Sequence, residues 1–191
     1  MATPTWAVLF GAYLLGSIPS AYIAGRVFAR VDIRRIGDGN VGARNTYRSI
    51  GRLPGVIVAL ADIAKGALAV IMARDLGQTD NVVLLAGLCV VLGHDLPIFL
   101  GLRGGQGMAA IVGVLGTLFP VLTGVAVILM LVTLLFSHNW DLSCAVGCIA
   151  LLVLLWLSGQ SALRLGFALL LEATIGLSKL LQLRQGRGVT A

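Results

Sequence analysis

Long apolar stretches alternate with short polar connections along the chain, and the apolar stretches predict helices over 5–25, 54–73, 81–100, 107–119, 121–136, 142–158 and 162–182. Runs such as GVAVILMLVTLLF (124–136) are continuously hydrophobic, without period-two alternation. Only helices and closed barrels satisfy their backbone in lipid, and a barrel needs that alternation, so the pattern selects helices. Pro120 separates the short fourth run from the fifth. Because proline cannot donate its backbone bond, 107–136 reads either as one kinked helix or as two. The expected fold is all-α: one integral membrane domain over 1–191 with about seven transmembrane helices.

Composition agrees. The 191 residues are 58% hydrophobic and 12% charged, whereas soluble domains are about a quarter charged. A crossing takes about 20 apolar residues, which leaves no room for a soluble domain. The first apolar stretch lacks a basic lead, and GSIPSAYIAGR (16–26) runs straight into a polar loop, so a cleaved signal is not expected. Cys89, Cys144 and Cys148 fall within apolar runs, without neighbours to complete a metal site, and read as small core residues.

Charge sets an orientation. The loop after the first helix carries Arg26, Arg30, Arg34, Arg35, Arg44, Arg48 and Arg52, seven of the 14 basic residues. With seven helices, Arg103, Lys179, Arg184 and Arg187 share its side, and Arg74 and Arg164 lie opposite. The positive-inside rule then puts the N-terminus outside and the C-terminus in the cytoplasm, in a multi-pass protein of the inner (plasma) membrane. The net charge of +6 needs no other cause, since anionic lipid attracts basic loops. Nucleic acid is not an expected partner, because no recognition fold or stacking platform accompanies the basic residues. The absence of an internal repeat argues against an inverted-repeat transporter.

Three polar constellations interrupt the apolar background. The loop RRIGDGNVGARNTYR (34–48) combines Gly37, Gly39 and Gly42 with Asn40, Asn45, Arg44 and Arg48. Such a turn can nest an anion on backbone N–H groups, and guanidinium forks suit phosphate; a flexible basic loop would have the same composition. Asp62 and Lys65 lie at i,i+3 inside a helix, where ionisable groups are rare. They suit either a structural ion pair or substrate contact. In GLCVVLGHDLPIFLGLRGGQGMAA (87–110), His94 and Asp95 end a helix, and Arg103, Gly104, Gly105 and Gly107 precede another whose N-terminus can hold an anion. His94 is either structural or a proton acceptor.

At these residues the chain resembles the bacterial membrane glycerol-3-phosphate acyltransferases that use acyl phosphate as donor. The family's first loop is matched at Asp32, Arg34, Gly37, Gly39, Asn40, Gly42, Ala43, Asn45 and Arg48. Its D-x-x-K-G signature is matched by Asp62, Lys65 and Gly66, and its second loop by Gly93, His94, Pro97, Phe99, Gly104, Gly105, Gly107 and Ala109. With GSIP at 16–19 the likeness covers about residues 11–115. It implies seven helices and transfer of an acyl group from acyl phosphate to glycerol 3-phosphate, giving lysophosphatidate without a metal or cofactor. Membrane lipid and a supplier enzyme that makes acyl phosphate are the implied partners.

Carried across by position, Arg48 holds phosphate, the glycine loops supply backbone donors and His94 sits beside the acceptor hydroxyl. On this chain's own residues, Arg48, Arg44 and the loop amides at Gly39, Asn40, Gly42 and Asn45 are expected to hold the acceptor's phosphate. Gly104, Gly105 and Gly107, with Arg103 and Gln106, stabilise charge on the donor, and His94 or Asp38 accepts the hydroxyl proton. The chain departs from the family pattern at Asp38 for serine, Arg44 for threonine and Gln106 for lysine. Asp38 and Arg44 are expected to pair, and Arg103 to compensate for Gln106. The third motif is not evident, and EATIGLSKLLQ (172–182) merely occupies its region. The alternatives are a non-catalytic member of the fold that binds a phosphate-bearing lipid or partner, and a small-anion transporter. All site assignments require the two glycine loops to meet.

Overall fold

The computed structural model describes residues 3–184, the last two by backbone only. It contains α1 (Thr5–Ser17), α2 (Ser20–Ala24), α3 (Ala43–Ser49), α4 (Arg52–Asp75), α5 (Asp80–Asp95), α6 (Met108–Leu118), α7 (Pro120–Ser137), α8 (Trp140–Leu157) and α9 (Ala162–Arg184). Among the described residues, six helical stretches are long and apolar enough to cross a membrane: Thr5–Ala29, Arg52–Asp75, Asp80–Leu100, Pro120–Ser137, Trp140–Leu157 and Ala162–Gln182.

Prolines account for most departures from the expected boundaries. The continuous helix expected over 5–25 breaks at Ile18–Pro19, then runs through α2 into a π-helical turn at Gly25–Ala29, because Pro19 has no N–H to continue the ladder. The helix expected over 81–100 stops at Asp95, and a 3-10 turn at Ile98–Leu100 follows Pro97. The 107–136 segment is two helices: Phe119 adopts φ −136 and ψ 65, and Pro120 opens α7, where its missing N–H costs nothing. At 11 residues, α6 rises only about 16 Å, roughly half the hydrocarbon thickness. Helix α3, inside the first polar region, is too short to show a hydrophobic period and was not expected.

Glycine lets the central helices touch. Gly16 of α1 meets the Val90 backbone and Gly93 meets that of Tyr13, joining α1 to α5; Gly66 of α4 meets Ala110, and Gly113 of α6 meets Ile63. A Cβ at any of these would enter a neighbouring main chain, and close backbone approach is how helices associate where lipid removes the hydrophobic drive. Val70, Val90, Val91, Val114 and Leu171 are fully buried in this core.

The bundle has two polar ends. Gln78 donates to the Thr3 carbonyl (2.9 Å), Arg74 to that of Thr117 (3.4 Å), and Arg164 lies 3.6 Å from Asp80, which gathers the 74–80 and 158–164 connections at one end. At the other, Lys179 pairs with Asp141 (2.9 Å), Arg44 stacks 5.4 Å over the Trp140 ring, and both glycine loops meet α9. Arg187 lies outside the described residues. The three cysteines are free and partly buried.

Candidate active site

At the first loop, Asn45 governs the geometry. This buried side chain places Nδ2 against the carbonyls of Asn40 (3.0 Å), Ile36 (3.1 Å) and Ile33 (3.3 Å), while Oδ1 accepts from Ser49 Oγ (3.0 Å) and the Asp38 N–H (3.3 Å). Its amide, expected to bind phosphate, is spent on folding the loop. Gly39 likewise donates its N–H to Ile36 O, at 3.1 Å. Asp38 Oδ1 accepts the Asn40 N–H at 3.0 Å. The expected pairing of Asp38 with Arg44 is not present: Arg44 instead lies over Trp140, where a planar cation meets the negative ring face. Asp32 grips Arg34 with a bond of 2.7 Å, which holds its carboxyl at about 2, well below the usual range.

The second loop is tied to the end of α5 by its own backbone. Gly104 donates its N–H to Asp95 O (3.1 Å) and Gly105 to His94 O (3.3 Å), so neither offers the free donor expected of it. What these glycines provide is space. A Cβ on Gly104 would enter the His94 carbonyl, and one on Gly105 would strike the His94 ring at Nε2 and come within 2.8 Å of Val41 O. Gly107, at φ +71, opens α6 in a left-handed conformation that glycine adopts without strain. The buried Asp95 carboxylate accepts from Ser178 Oγ (2.7 Å) and turns its other oxygen toward Gly107. A carboxylate of the protein therefore already stands beside the α6 N-terminus, the place expected for a bound anion.

Asp62, Lys65 and His94 converge beneath these loops. Lys65 Nζ sits 2.9 Å from Asp62 Oδ1 and donates to the Ile18 carbonyl at 3.2 Å, at the Pro19 break. His94 Nδ1 lies 3.6 Å from the same carboxylate oxygen, an electrostatic contact longer than a hydrogen bond. Its Nε2 faces Gly105. The two loops thus meet, with Gly105 of the second against both the Val41 carbonyl of the first and the His94 ring.

Arg48 and Arg103 are exposed. Arg103 lines a small cavity with Asp95, Gly104, Gly105, Ser178 and Gln182, and Gln106 donates to Gln182 Oε1 at 3.0 Å rather than facing Arg103. The stretch 172–182 does more than occupy its region: Ser178 and Gln182 reach the site, and both were missed. Their signal was present, since Thr174, Ser178 and Gln182 recur every fourth residue on one face of an otherwise apolar helix. Among the described residues no group of His, Cys, Asp and Glu is placed to hold a metal ion.

The family model for glycerol-3-phosphate acyltransferase matches residues 6–185. The chain belongs to that family. It is 42% identical over 152 residues to the glycerol-3-phosphate acyltransferase of Synechococcus sp. (strain CC9902), covering 78% of this chain and 75% of that protein. The relative from Desulforamulus reducens (strain ATCC BAA-1160 / DSM 100696 / MI-1) is 35% identical over 166 residues, covering 87% and 83%. Crystal structures of PlsY (YgiH), an integral membrane glycerol 3-phosphate acyltransferase, superpose closely. The glycerol 3-phosphate form gives a TM-score of 0.85 at 30% identity over 96% of this chain and 94% of that one. The lysophosphatidic acid form gives 0.83 at 30% identity over 96% and 93%. The acyltransferase family fold therefore extends through α9, well beyond the two glycine loops.

Proposed function

We propose that the chain transfers an acyl group from acyl phosphate to glycerol 3-phosphate, forming lysophosphatidate for phospholipid synthesis at the inner membrane. The observation that carries this is His94, buried where the two loops meet, with Asp62 on its Nδ1 side and Gly105 on its Nε2 side. The acceptor hydroxyl oxygen attacks the acyl carbonyl carbon while Nε2 takes its proton; the ester C–O bond forms, the acyl–phosphate C–O bond breaks, and phosphate leaves with the electron pair. Asp62 stabilises the imidazolium, and Lys65 keeps Asp62 in place. Asp38 shapes the first loop rather than acting as base.

The acceptor's phosphate is held by Arg48 and Arg44 with the Asn40 side chain and the backbone at Gly42, on the α3 side of the site. Gly104, Gly105 and Gly107 let the second loop lie against His94, while Arg103 faces the donor and Gln106 is turned to Gln182. An apolar cavity lined by Met108, Ile111, Met130, Cys148, Leu151 and Ile175 adjoins that loop and suits an acyl chain. The loop and α6 together make a seventh crossing, the arginine-rich end faces the cytoplasm with the C-terminus, and an acyl-phosphate-producing enzyme supplies the donor from that side.

Purified protein in lipid nanodiscs, given acyl phosphate and glycerol 3-phosphate, is expected to form lysophosphatidate. His94→Gln should lower kcat about a hundredfold or more, the usual worth of a general base. Arg48→Ala should raise KM for glycerol 3-phosphate roughly tenfold or more, as for a lost charged hydrogen bond. No product, beside an active family member under the same conditions, would overturn the proposal. Binding without turnover would return the chain to the non-catalytic alternative.

A further inference from the structure

We infer that Gln182 of α9 is a positioning residue that fastens the first polar loop to the second and thereby sets the acceptor site, with Gln106 as its coupled partner. The kinetic part rests on the proposed acyl transfer. The two loops touch where Gly105 packs against the Val41 carbonyl, and one side chain of α9 bonds to both. Gln182 joins them. Its Nε2 donates to Asn40 Oδ1 and to the Gly105 carbonyl, both at 3.3 Å, and its Oε1 accepts from Gln106 Nε2 at 3.0 Å.

The chemistry admits only this arrangement. The Gly105 carbonyl has no proton to give, so the Gln182 nitrogen must face it, which in turn leaves the oxygen for Gln106 and fixes the Asn40 oxygen toward Nε2. One acceptor and two donors are all in use. A glutamate at 182 would keep the bond from Gln106 but set a carboxylate oxygen against the Gly105 carbonyl and require Asn40 to turn its amide; a leucine would keep none. One turn earlier, Ser178 holds Asp95 at 2.7 Å and fixes the rotation of α9, so that the residue four positions on faces the loops. Asn40 is one of the groups that holds the acceptor's phosphate, and this bond aims its side chain, so losing the bond loosens the grip on the acceptor before it disturbs His94.

The test is a double-mutant cycle in nanodiscs. Q182L is expected to raise KM for glycerol 3-phosphate about tenfold, as for lost bonds of this kind, with kcat and thermal midpoint nearly unchanged. Q106L/Q182L should be little worse than Q182L, because the two residues act as a unit. Q182E should be worse than Q182L, and Q106K/Q182E should recover much of that loss by pairing opposite charges. An unchanged KM in Q182L, additive effects at 106 and 182, or a fall in midpoint with kcat lost at constant KM would each overturn the inference.

Hydrogen exchange separates its failure from that of the acyl-transfer proposal. If the unaltered protein makes no lysophosphatidate, Q182L should still speed exchange in 36–42 and 101–107 together while α4 and α5 are unaffected. Unchanged exchange in those loops would overturn the inference whatever the activity.

Discussion

In the first polar loop five hydrogen bonds converge on one side chain, that of Asn45, whereas the second is held by main-chain N–H groups of Gly104 and Gly105 on the carbonyls that end α5. The difference decides how each can fail. A side-chain hub is removed by one substitution. A main-chain tie survives any change of side chain and is disturbed only by adding atoms where none fit. The first loop is thus vulnerable to truncation and the second to enlargement.

Asn45→Ala should have the largest effect. It leaves buried carbonyls without donors, at about 3 kcal/mol or more for a hub of this kind, read as a lowered thermal midpoint in detergent together with lost lysophosphatidate formation. A variant with near-native midpoint would show that the first loop does not depend on its hub. Gly105→Ala comes next: its Cβ meets the His94 ring and the Val41 carbonyl, an overpacking worth roughly 1–3 kcal/mol, and should depress kcat. Gly101→Ala is the control, because its surroundings are open and only its φ of +62 opposes a side chain, at about 1–2 kcal/mol. Equal activity in the two variants would break the comparison.

Smaller effects sharpen it within the first loop. Asp38→Ser can keep the bond to the Asn40 N–H while removing a carboxylate near a bound dianion, and should lower KM for glycerol 3-phosphate about threefold, a change of roughly 0.6 kcal/mol. Because Arg44 faces Trp140 and not Asp38, combining Asp38→Ser with Arg44→Ala should give independent effects; restoration of activity by reversing both charges would show that the pair meets after all. The smallest effect concerns acid stability. Arg34 lowers the Asp32 carboxyl to about 2 from 3.8, so the folded state binds its proton less readily than the unfolded chain. Its contribution is therefore present above about pH 4 and lost as pH falls toward 2. Asp32→Asn should flatten the unfolding profile in that window and cost less than about 1 kcal/mol at neutral pH, as for a partly exposed pair. An unchanged acid limb would show that this pair contributes nothing.

The polar segments that make up the candidate site stood out by residue type alone. Glycine clusters beside Arg44, Arg48 and Arg103 pointed to two loops, and Asp62, Lys65 and His94 stood out because hydrocarbon tolerates few ionisable groups. Ser178 and Gln182 escaped because hydroxyl and amide side chains are unremarkable near a helix end, and their four-residue spacing carries meaning only once a partner faces it. The donor roles of Asn45, Gly104 and Gly105 were misjudged for a related reason: spacing shows that an N–H exists, not whether a neighbouring carbonyl already holds it. The breaks after Ser17 and Asp95 were legible in Pro19 and Pro97 but masked by apolar residues continuing on either side.

Residue order alone determined that this is a helical membrane protein with polar loops on separate segments, because a bilayer imposes length and composition on each span and an α-helix satisfies its own backbone within a few residues. Tertiary structure decided which polar groups are spent on the fold. Those choices rest on partners distant along the chain, as between Gln182 and Asn40, 142 positions apart, and no local pattern encodes a bond over that separation.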